Sequence, residues 1–451
     1  MQYRDPLGTR CGRNHRPPWK RGNMKKRPFT VVGAITLALI MASCGSDEPA
    51  TEGGGSVEKI TLRVSDSPGS DEGKAAMAAL DAAFMAENPD IIIDRSSSPY
   101  DEHFAKLTTA IAAQDGMDVV SAYPGTVAAE YEKGLLPLND YLASSPDLQE
   151  NLQFLTESRG IDGNLYVAPF MNYSYAFAVN KSVMTTAGLD PSPQPTTWNG
   201  LLELCDSLNA AGVTPIAAGW QDGYYYDWFQ FILLNQTLTK DEFQQMTRGE
   251  LPFDSVGFLK AEEYLAEMVD RDCFDDNAIG LPLGEVDGIW ESGKAAIQLV
   301  YYPSNAWAET LGDDGVGFFL LPELDDNRWG AYPTTDAGPN GGWAITKWSK
   351  NPDAAWRYIS FMLSAKSQET YASFGGSAPN HVKANATSDI AYMNEYFVLA
   401  RHLENHTVYL SMPNSVQAAH ERNAIDFITG KVGPAEVVAQ LEEERKLVLG
   451  E

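Results

Sequence analysis

The chain has 451 residues, which is more than one ordinary domain, and its 44% hydrophobic and 21% charged residues are typical of folded globular protein. Its net charge of −28 combines a basic leader with an acidic remainder, because residues 1–43 carry nine basic residues and one acidic residue, which leaves −36 for residues 44–451. A field of that sign repels nucleic acid and anionic lipid, so we exclude both as partners of the folded part.

The first residues of the chain are typical of an export signal. A basic segment over 25–27 precedes an apolar run over 29–42. That run is too short to span a bilayer as a helix, whereas its length and flanks match a signal peptide. Residues 1–43 are therefore predicted to be the signal, and Met24 is a second candidate for the start of translation.

The end of the predicted signal resembles a bacterial lipobox. Its sequence is MASC over 41–44, with Met41 in place of the usual Leu. Residues 44–57 are rich in Gly, Ser and acidic residues, which predicts a lipidated flexible tether. Because two acyl chains anchor a protein stably, we expect Cys44 to hold the mature chain on the extracellular face of the membrane, or in a periplasm. Simple cleavage beside an unmodified Cys44 is the alternative.

Along the mature chain, short apolar runs alternate with amphipathic helices. The predicted strands are 60–64, 91–93, 118–120, 165–170, 175–180 and 214–219. The predicted helices include 73–87, one that is capped by Thr197 and closed by Gly212, and one that begins at Asn351-Pro352. The alternation of strand and helix predicts an α/β chain of two lobes, each with its own sheet, and the first block predicts a largely parallel one.

Two cysteines of the exported part can pair. Cys205 lies on the apolar face of a predicted helix with Leu201 and Leu208, and Cys273 follows another helix. A disulfide persists in an exported protein, so a Cys205–Cys273 bridge is one interpretation. Two buried thiols that act as small hydrophobic groups are the other.

The sequence carries no catalytic or metal-binding signature. It has no G-x-S-x-G elbow, no P-loop and no G-x-G-x-x-G after a strand. His402 and His406 stand four residues apart, but without a third ligand they favour a solvated helix face. We therefore predict no catalytic residue, cofactor or metal. A chance pair of carboxylates for glycoside hydrolysis stays open among the many acidic residues.

Aromatic residues mixed with polar ones follow several predicted strands. The segments are Trp220–Trp228 (WQDGYYYDW), Tyr301–Trp307 (YYPSNAW), Asn172–Tyr175 (NYSY) and Gly341–Trp343 (GGW). A sugar ring presents an apolar C–H face and a polar rim, and aromatic side chains beside Asp and Asn suit both. Ordinary core packing is the alternative for any single aromatic residue.

Several motifs occur in the order that is found in the family 1 extracellular solute-binding proteins, the oligosaccharide-binding group that includes the maltose-binding type. They are 118–120 (DVV) with 134–138 (GLLPL), 163–169 (GNLYVAP) with 179–181 (VNK), 187–190 (AGLD) with 197–198 (TW), 293–297 (GKAAI), 341–345 (GGWAI) and 349–356 (SKNPDAAW). The chain departs from the family pattern at Ile297, where Met is usual. Each motif is weak alone, whereas their common order over residues 58–451 is specific.

The resemblance implies a type II periplasmic-binding-protein-like fold, with a ligand cleft between two lobes joined by crossing hinge strands. Lobe 1 would hold 58–169 and 294–340, and lobe 2 would hold 170–293 and 341–451. The ligand-binding residues that the resemblance and the aromatic loops suggest are Ser67, Tyr123, Tyr173, Trp220, Asp222, Tyr226, Trp228, Tyr302, Trp307 and Trp343.

The function that follows from the resemblance is transport. We expect a monomeric substrate-binding component of an ABC importer, which captures a neutral mono- or oligosaccharide and delivers it to the transmembrane subunits of a permease. An exported carbohydrate-active enzyme and a sensor lipoprotein on the same scaffold are the alternatives.

Overall fold

The computed structural model describes residues 59–68, 70–160, 162–192, 195–375, 377–401 and 407–450. The predicted signal and tether, with Cys44, and the pair His402 and His406 lie outside the described residues. Within the ranges just given, no helix is long and apolar enough to cross a membrane.

Strands and helices alternate along most of the described chain. The strands are β1 (Ile60–Asp66), β2 (Ile91–Ser97), β3 (Val119–Ala122), β4 (Ala168–Pro169), β5 (Asn172–Ser174), β6 (Ala176–Asn180), β7 (Thr214–Ala217), β8 (Ala295–Val300), β9 (Val316–Phe319), β10 (Ala337–Pro339) and β11 (Gly342–Ile345). The helices are α1 (Asp71–Glu87), α2 (Tyr100–Ala113), α3 (Asn139–Ala143), α4 (Pro146–Asn151), α5 (Lys181–Thr186), α6 (Trp198–Ala210), α7 (Tyr224–Thr237), α8 (Lys240–Thr247), α9 (Val256–Asp270), α10 (Val286–Glu291), α11 (Trp307–Leu311), α12 (Pro352–Leu363), α13 (Ala365–Ser373), α14 (Ala391–Arg401), α15 (Asn414–Ile428) and α16 (Pro434–Leu449).

Lobe 1 is built on a five-stranded sheet of order β2-β1-β3-β11-β4. The strand β1 pairs in parallel with β2 and β3, as the sequence predicts, and β11 runs antiparallel to β3 and β4. Helix α1 covers this sheet because its buried stripe of Met77, Leu80 and Phe84 faces the core, and Ser70 caps its first turn by accepting a hydrogen bond from the Gly73 N–H.

Lobe 2 is built on a four-stranded sheet of order β7-β8-β6-β9. All residues of β6 and β8 are buried, which is typical of strands covered by helices on both faces. Helix α6 begins at the predicted cap, where the Thr197 side chain accepts a hydrogen bond from the Gly200 N–H. The chain leaves this helix through Gly212, whose φ of +73° favours glycine.

Two segments lie in the lobe opposite to the one that the family resemblance implied. Strands β8 and β9, within 294–340, pair with β6 of lobe 2, and β11, within 341–451, pairs with β3 of lobe 1. Both segments are short, buried, apolar runs, and such runs do not specify their partner strand locally. Pairing between strands that are distant in sequence decides which sheet each of them joins. Strands β8 and β9 therefore belong to lobe 2, and β11 belongs to lobe 1.

The lobes are connected by crossing segments. The strands β5 and β10 form a separate antiparallel pair, with Tyr173 opposite Gly338. The strand β5 also bridges to Ala378, beyond α13 of lobe 1. These segments are the hinge strands that the fold class predicts, because each leads from one sheet into the other.

Cys205 and Cys273 form a disulfide in lobe 2, in agreement with the first of the two interpretations. Both residues are fully buried. The bridge links α6 to the segment that follows α9, and closed loops of this kind stabilise a fold mainly by restricting the unfolded chain.

Helices α7, α9 and α15 share a buried polar cluster that we call the His420 cluster; its members are His420, Asp227, Glu262 and Tyr226. The His420 imidazole contacts Asp227 Oδ1 through Nδ1 at 2.5 Å and Glu262 Oε1 through Nε2 at 3.0 Å. Tyr226 donates its hydroxyl to Glu262 Oε2 at 2.6 Å and stacks on the imidazole at 3.9 Å. Burial lowers the pKa of His420, but the two carboxylates outweigh it and raise that pKa to about 9.

Candidate functional site

Aromatic rings from both lobes and from the hinge meet in one continuous series, which we call the aromatic arc. Its members in spatial order are Tyr123, Tyr409, Tyr173, Tyr175, Trp228, Tyr301 and Tyr302. The distances between successive ring centroids in that order are 5.7, 6.4, 5.5, 5.5, 5.1 and 4.2 Å. Contacts of this range are typical of stacked and edge-to-face aromatic pairs.

Strand ends and one helix position the arc. Tyr123 directly follows β3 of lobe 1, while Tyr301 and Tyr302 directly follow β8 of lobe 2. Trp228 lies in the second turn of α7, half-buried between Tyr175 and Tyr301. In open α/β sheets, ligands bind in the crevice at the carboxyl ends of the strands, and these residues lie at such ends.

Hydrogen bonds also connect the lobes outside the aromatic rings. Asn305 of lobe 2 donates its Nδ2 to the carbonyl of Phe374, at the end of α13 in lobe 1, at 2.8 Å. Thr126 of lobe 1 donates its hydroxyl to the carbonyl of Leu410 at 2.7 Å. These two hydrogen bonds join segments of the two lobes directly.

A buried carboxylate in the hinge orients one end of the arc. Asp336 accepts hydrogen bonds from the Tyr173 hydroxyl at 2.5 Å and from the Val408 N–H at 2.5 Å. The N–H of Tyr409 lies 3.4 Å from the same carboxylate. Burial raises the pKa of Asp336 to about 7 against the effect of these donors. Asp336 thus fixes the segment that carries the Tyr409 ring.

Charged residues at the edge of the lobe 1 sheet are paired with one another. Arg95 donates to Asp66 Oδ2 at 2.5 Å and to both Asp81 oxygens at 2.6 and 2.8 Å. Ser97 donates its hydroxyl to the second oxygen of Asp66 at 2.6 Å. This network fixes the carboxyl ends of β1 and β2, beside Ser67, which is half-buried.

Asp287 is a polar group on the lobe 2 side that sequence reasoning missed. It lies at the start of α10, and that helix packs on β7 and β8. Its carboxylate adds to the rise that burial causes in the pKa of Tyr302, the last ring of the aromatic arc. The chain has 61 acidic residues, and nothing in the local sequence around Asp287 distinguishes it from the others.

The structure brings Tyr123, Tyr173, Trp228 and Tyr302 together, but places other predicted ligand residues elsewhere. Trp220 is fully buried in the core of lobe 2, where its ring contacts Tyr225, Phe229 and Phe274. Trp220 lies just beyond the end of β7, and its contacts are packing contacts within lobe 2.

Four further candidates have structural contacts of their own. Tyr226 belongs to the His420 cluster, and Asp222 accepts a hydrogen bond from the Leu283 N–H at 2.9 Å. Trp343 lies on β11 beneath the Arg95 guanidinium, 5.4 Å from its ring centroid. Trp307 is buried and packs on Trp290, with 4.8 Å between the ring centroids.

Tyr175, Tyr301 and Tyr409 belong to the arc, although they were not among the predicted residues. The first two lie inside the aromatic segments that the sequence singled out, so their proximity to Tyr173 and Tyr302 was the available signal. Tyr409 lies far along the chain in a 3-10 turn, Tyr409–Ser411, and only tertiary structure places its ring beside Tyr123 and Tyr173.

Comparison with known proteins agrees with this architecture. The family model described as bacterial extracellular solute-binding protein matches residues 67–369. A putative binding protein of Brucella abortus is 24% identical over 289 residues, which are 62% of this chain and 66% of that protein. An uncharacterized ABC transporter extracellular-binding protein of Pyrococcus horikoshii is 23% identical over 79% of this chain and 80% of its own.

Two further proteins that resemble this chain are described by the ligand that they bind. The sn-glycerol-3-phosphate-binding periplasmic protein of Escherichia coli is 27% identical over 146 residues, 31% of this chain and 33% of that protein. A solved structure described as a chitin oligosaccharide binding protein superimposes with a TM-score of 0.72 at 19% identity, and covers 87% of this chain and all of that one.

Two α/β lobes that are joined by crossing strands, with the aromatic arc between them, have the architecture of a two-lobe solute receptor. Since the family model matches well over half of the residues, the chain belongs to the bacterial extracellular solute-binding proteins of family 1. The expected family and fold class are thereby confirmed.

Proposed function

We propose that the protein is the substrate-binding component of an ABC importer and that it captures a neutral carbohydrate in the cleft between its lobes. The observation that carries the proposal is the aromatic arc, which combines rings from both lobes and the hinge. Aromatic faces suit the C–H faces of a sugar ring, and the tyrosine hydroxyls and nearby carboxylates suit its hydroxyl groups.

The contacts between the lobes support a capture mechanism. A ligand that touches rings of both lobes makes its full set of contacts only when the cleft is closed. The ligand therefore binds the closed form more tightly than the open form. This difference in affinity shifts the population towards the closed form. The closed form is then the one that the transmembrane subunits of a permease would recognise, as the membership in this family suggests.

An exported carbohydrate-active enzyme is the second candidate. It would need a carboxylic acid and a carboxylate on either side of a glycosidic bond. Asp66 is held by Arg95 and Ser97, which suits a structural carboxylate better than a proton donor. Stoichiometric binding that leaves the glycan intact would favour the receptor, and turnover would favour the enzyme.

A thermal-shift screen tests the carbohydrate proposal. We expect at least one neutral sugar, from a panel of D-glucose, D-galactose, D-xylose, N-acetyl-D-glucosamine and their disaccharides, to raise Tm and to change Trp fluorescence. Ligand at about 100 times Kd adds roughly 2.7 kcal/mol of stability. Tight binding of an amino acid, a peptide or a metal ion, without a response to any sugar, would contradict the proposal.

We further propose that Cys44 carries the lipid anchor and that the protein is held at the outer face of the membrane. The lipobox-like segment 41–44 and the tether 44–57 support this. Cys44→Ser is expected to move the protein from the membrane fraction to the soluble fraction, because the two acyl chains are lost. Ser56→Ala, which leaves both the lipobox and the Cys205–Cys273 disulfide intact, is the control. A membrane-bound Cys44→Ser protein would rule out this anchor.

A further inference from the structure

A short segment beside the hinge contacts both lobes. It consists of residues 407–411, which we call the strap, and it leads into α15, which packs on α7 of lobe 2. Within the strap, the Tyr409 ring centroid lies 5.7 Å from that of Tyr123 in lobe 1. The same ring lies 6.4 Å from Tyr173 of the hinge and 5.8 Å from Phe231 of lobe 2. A movement of one lobe away from the other must therefore break contacts on one side of the strap.

Buried hydrogen bonds fix the strap to the hinge and to lobe 2. Asp336, directly before β10, accepts a hydrogen bond from the Val408 N–H at 2.5 Å, and both residues are fully buried. Gln417 of α15 donates its side-chain amide to the Tyr409 carbonyl at 3.0 Å. Water does not compete for bonds that are buried in this way. We therefore expect the strap to stay with the hinge and with lobe 2 when the lobes separate.

On its other side, the strap meets a 3-10 turn of lobe 1, Gly125–Glu130. The Thr126 hydroxyl of this turn donates to the Leu410 carbonyl at 2.7 Å. The two backbones approach closely, because a Cβ at Gly125 would lie 3.0 Å from the same carbonyl oxygen. Leu410 is 1% exposed, so water has little access to its carbonyl while lobe 1 stays in place. The contact thus joins lobe 1 to the strap through a donor that a buried acceptor needs.

We propose that Thr126 is a positioning residue for ligand binding, because its hydroxyl latches the strap to lobe 1 and so holds the Tyr409 ring beside Tyr123. This inference rests on the capture of a carbohydrate that is proposed above. The Thr126 hydroxyl reaches the Leu410 carbonyl only while lobe 1 stays against the strap. The bond therefore favours the arrangement in which rings of both lobes lie together, and a ligand that these rings hold leaves more slowly.

The test compares Thr126→Val with Thr126→Ser. Valine keeps the shape of the side chain but leaves the buried Leu410 carbonyl without its donor, whereas serine keeps the donor. Thr109→Val is the matched control, because the Thr109 hydroxyl donates at 2.9 Å to the Ala105 carbonyl on the exposed face of α2 in the same lobe. The control makes the same chemical change at a hydrogen bond within a single helix.

Stopped-flow Trp fluorescence with the panel sugar that gives the largest shift in Tm would measure both rate constants. The slope of the observed rate against sugar concentration gives kon, and the intercept gives koff. Thr126→Val should raise koff, and with it Kd, about three- to tenfold, which is the range expected for one hydrogen bond between neutral groups. It should leave kon within about twofold, because the latch forms after the ligand has entered. Thr126→Ser and Thr109→Val should keep both constants within about twofold of wild type.

The outcomes separate the two proposals. If wild type binds a panel sugar and Thr126→Val releases it at the wild-type rate, the latch is wrong and the carbohydrate function stands. The latch is also wrong if Thr126→Ser releases the sugar as fast as Thr126→Val, or if Thr126→Val lowers kon and leaves koff unchanged. If no panel sugar binds, the proposed function fails, and this inference fails with it. The Tm of each ligand-free variant shows that it is folded.

Discussion

Trp220→Ala is expected to lower the free energy of unfolding by about 3–5 kcal/mol, whereas Trp228→Ala should cost less than about 1.5 kcal/mol and weaken ligand binding about tenfold or more. The two residues stand eight positions apart in one aromatic segment. Their opposite effects would separate core packing from ligand contact within that segment.

The difference in expectation follows from the neighbours of each ring. Trp220 is fully buried, and its edge-to-face contact with Phe274 at 5.0 Å lies inside lobe 2. Truncation there leaves a cavity that the surrounding side chains fill only in part. Trp228 is half-buried and faces Tyr175 and Tyr301 of the arc. Its truncation removes a surface that we expect to stack on the ligand.

Urea denaturation and calorimetry would measure the two quantities separately. Phe274→Leu is a useful companion, because it contacts Trp220 and should lower stability without altering the affinity of the folded protein. A Trp228→Ala protein that binds the panel sugar as tightly as wild type would remove Trp228 from the site. A Trp220→Ala protein of wild-type stability would contradict its place in the core.

Local patterns predicted the elements of the fold well, but not all of their partners. The spacing of Met77, Leu80 and Phe84 identified α1, and Thr197 identified the start of α6. The lobes that were predicted for β8 and β11 are wrong, because each strand is a short buried run whose sheet is decided by pairing with residues distant in sequence. The periodicity of apolar residues shows which face of a helix or strand is buried. It does not show which neighbouring element covers that face.

The candidate site was predictable as a set of segments more than as a set of residues. Tyr302 and Trp228 lie in the aromatic segments that the sequence singled out, but so does Trp220, because aromatic composition alone does not show whether a ring faces the core or the cleft. Tyr409 could not be found, since only tertiary contacts bring its ring beside Tyr123 and Tyr173.

His420→Gln is expected to lower the free energy of unfolding by about 3–5 kcal/mol at pH 6.5, because it leaves two buried carboxylates without their cation. Asp227 and Glu262 both contact the imidazole, and the three side chains are almost fully buried. Arg422→Gln removes a charge from the same helix, α15, but from a side chain that is 66% exposed, and should cost less than about 1 kcal/mol.

The effect should depend on pH in a defined direction. The pKa of His420 is raised from 6.5 to about 9 in the folded protein, so its contribution to stability is complete below pH 6.5 and is lost as the pH rises through 9. The pKa of Glu421 is raised from 4.5 to about 8, first by burial and then by Asp227, so it also makes stability fall with rising pH. The gap between wild type and His420→Gln should therefore narrow from pH 6.5 to pH 9.

Urea midpoints of wild type, His420→Gln and Arg422→Gln at several pH values would measure this gap. The double variant His420→Gln with Asp227→Asn provides the decisive comparison. It keeps the polar shape of the cluster and removes one of the two unpaired carboxylates, so it should recover part of the stability lost in His420→Gln. If the double variant is as unstable as the sum of both single variants, the loss arises from packing of the imidazole on Tyr226, at 3.9 Å, and the cluster is not held together by charge.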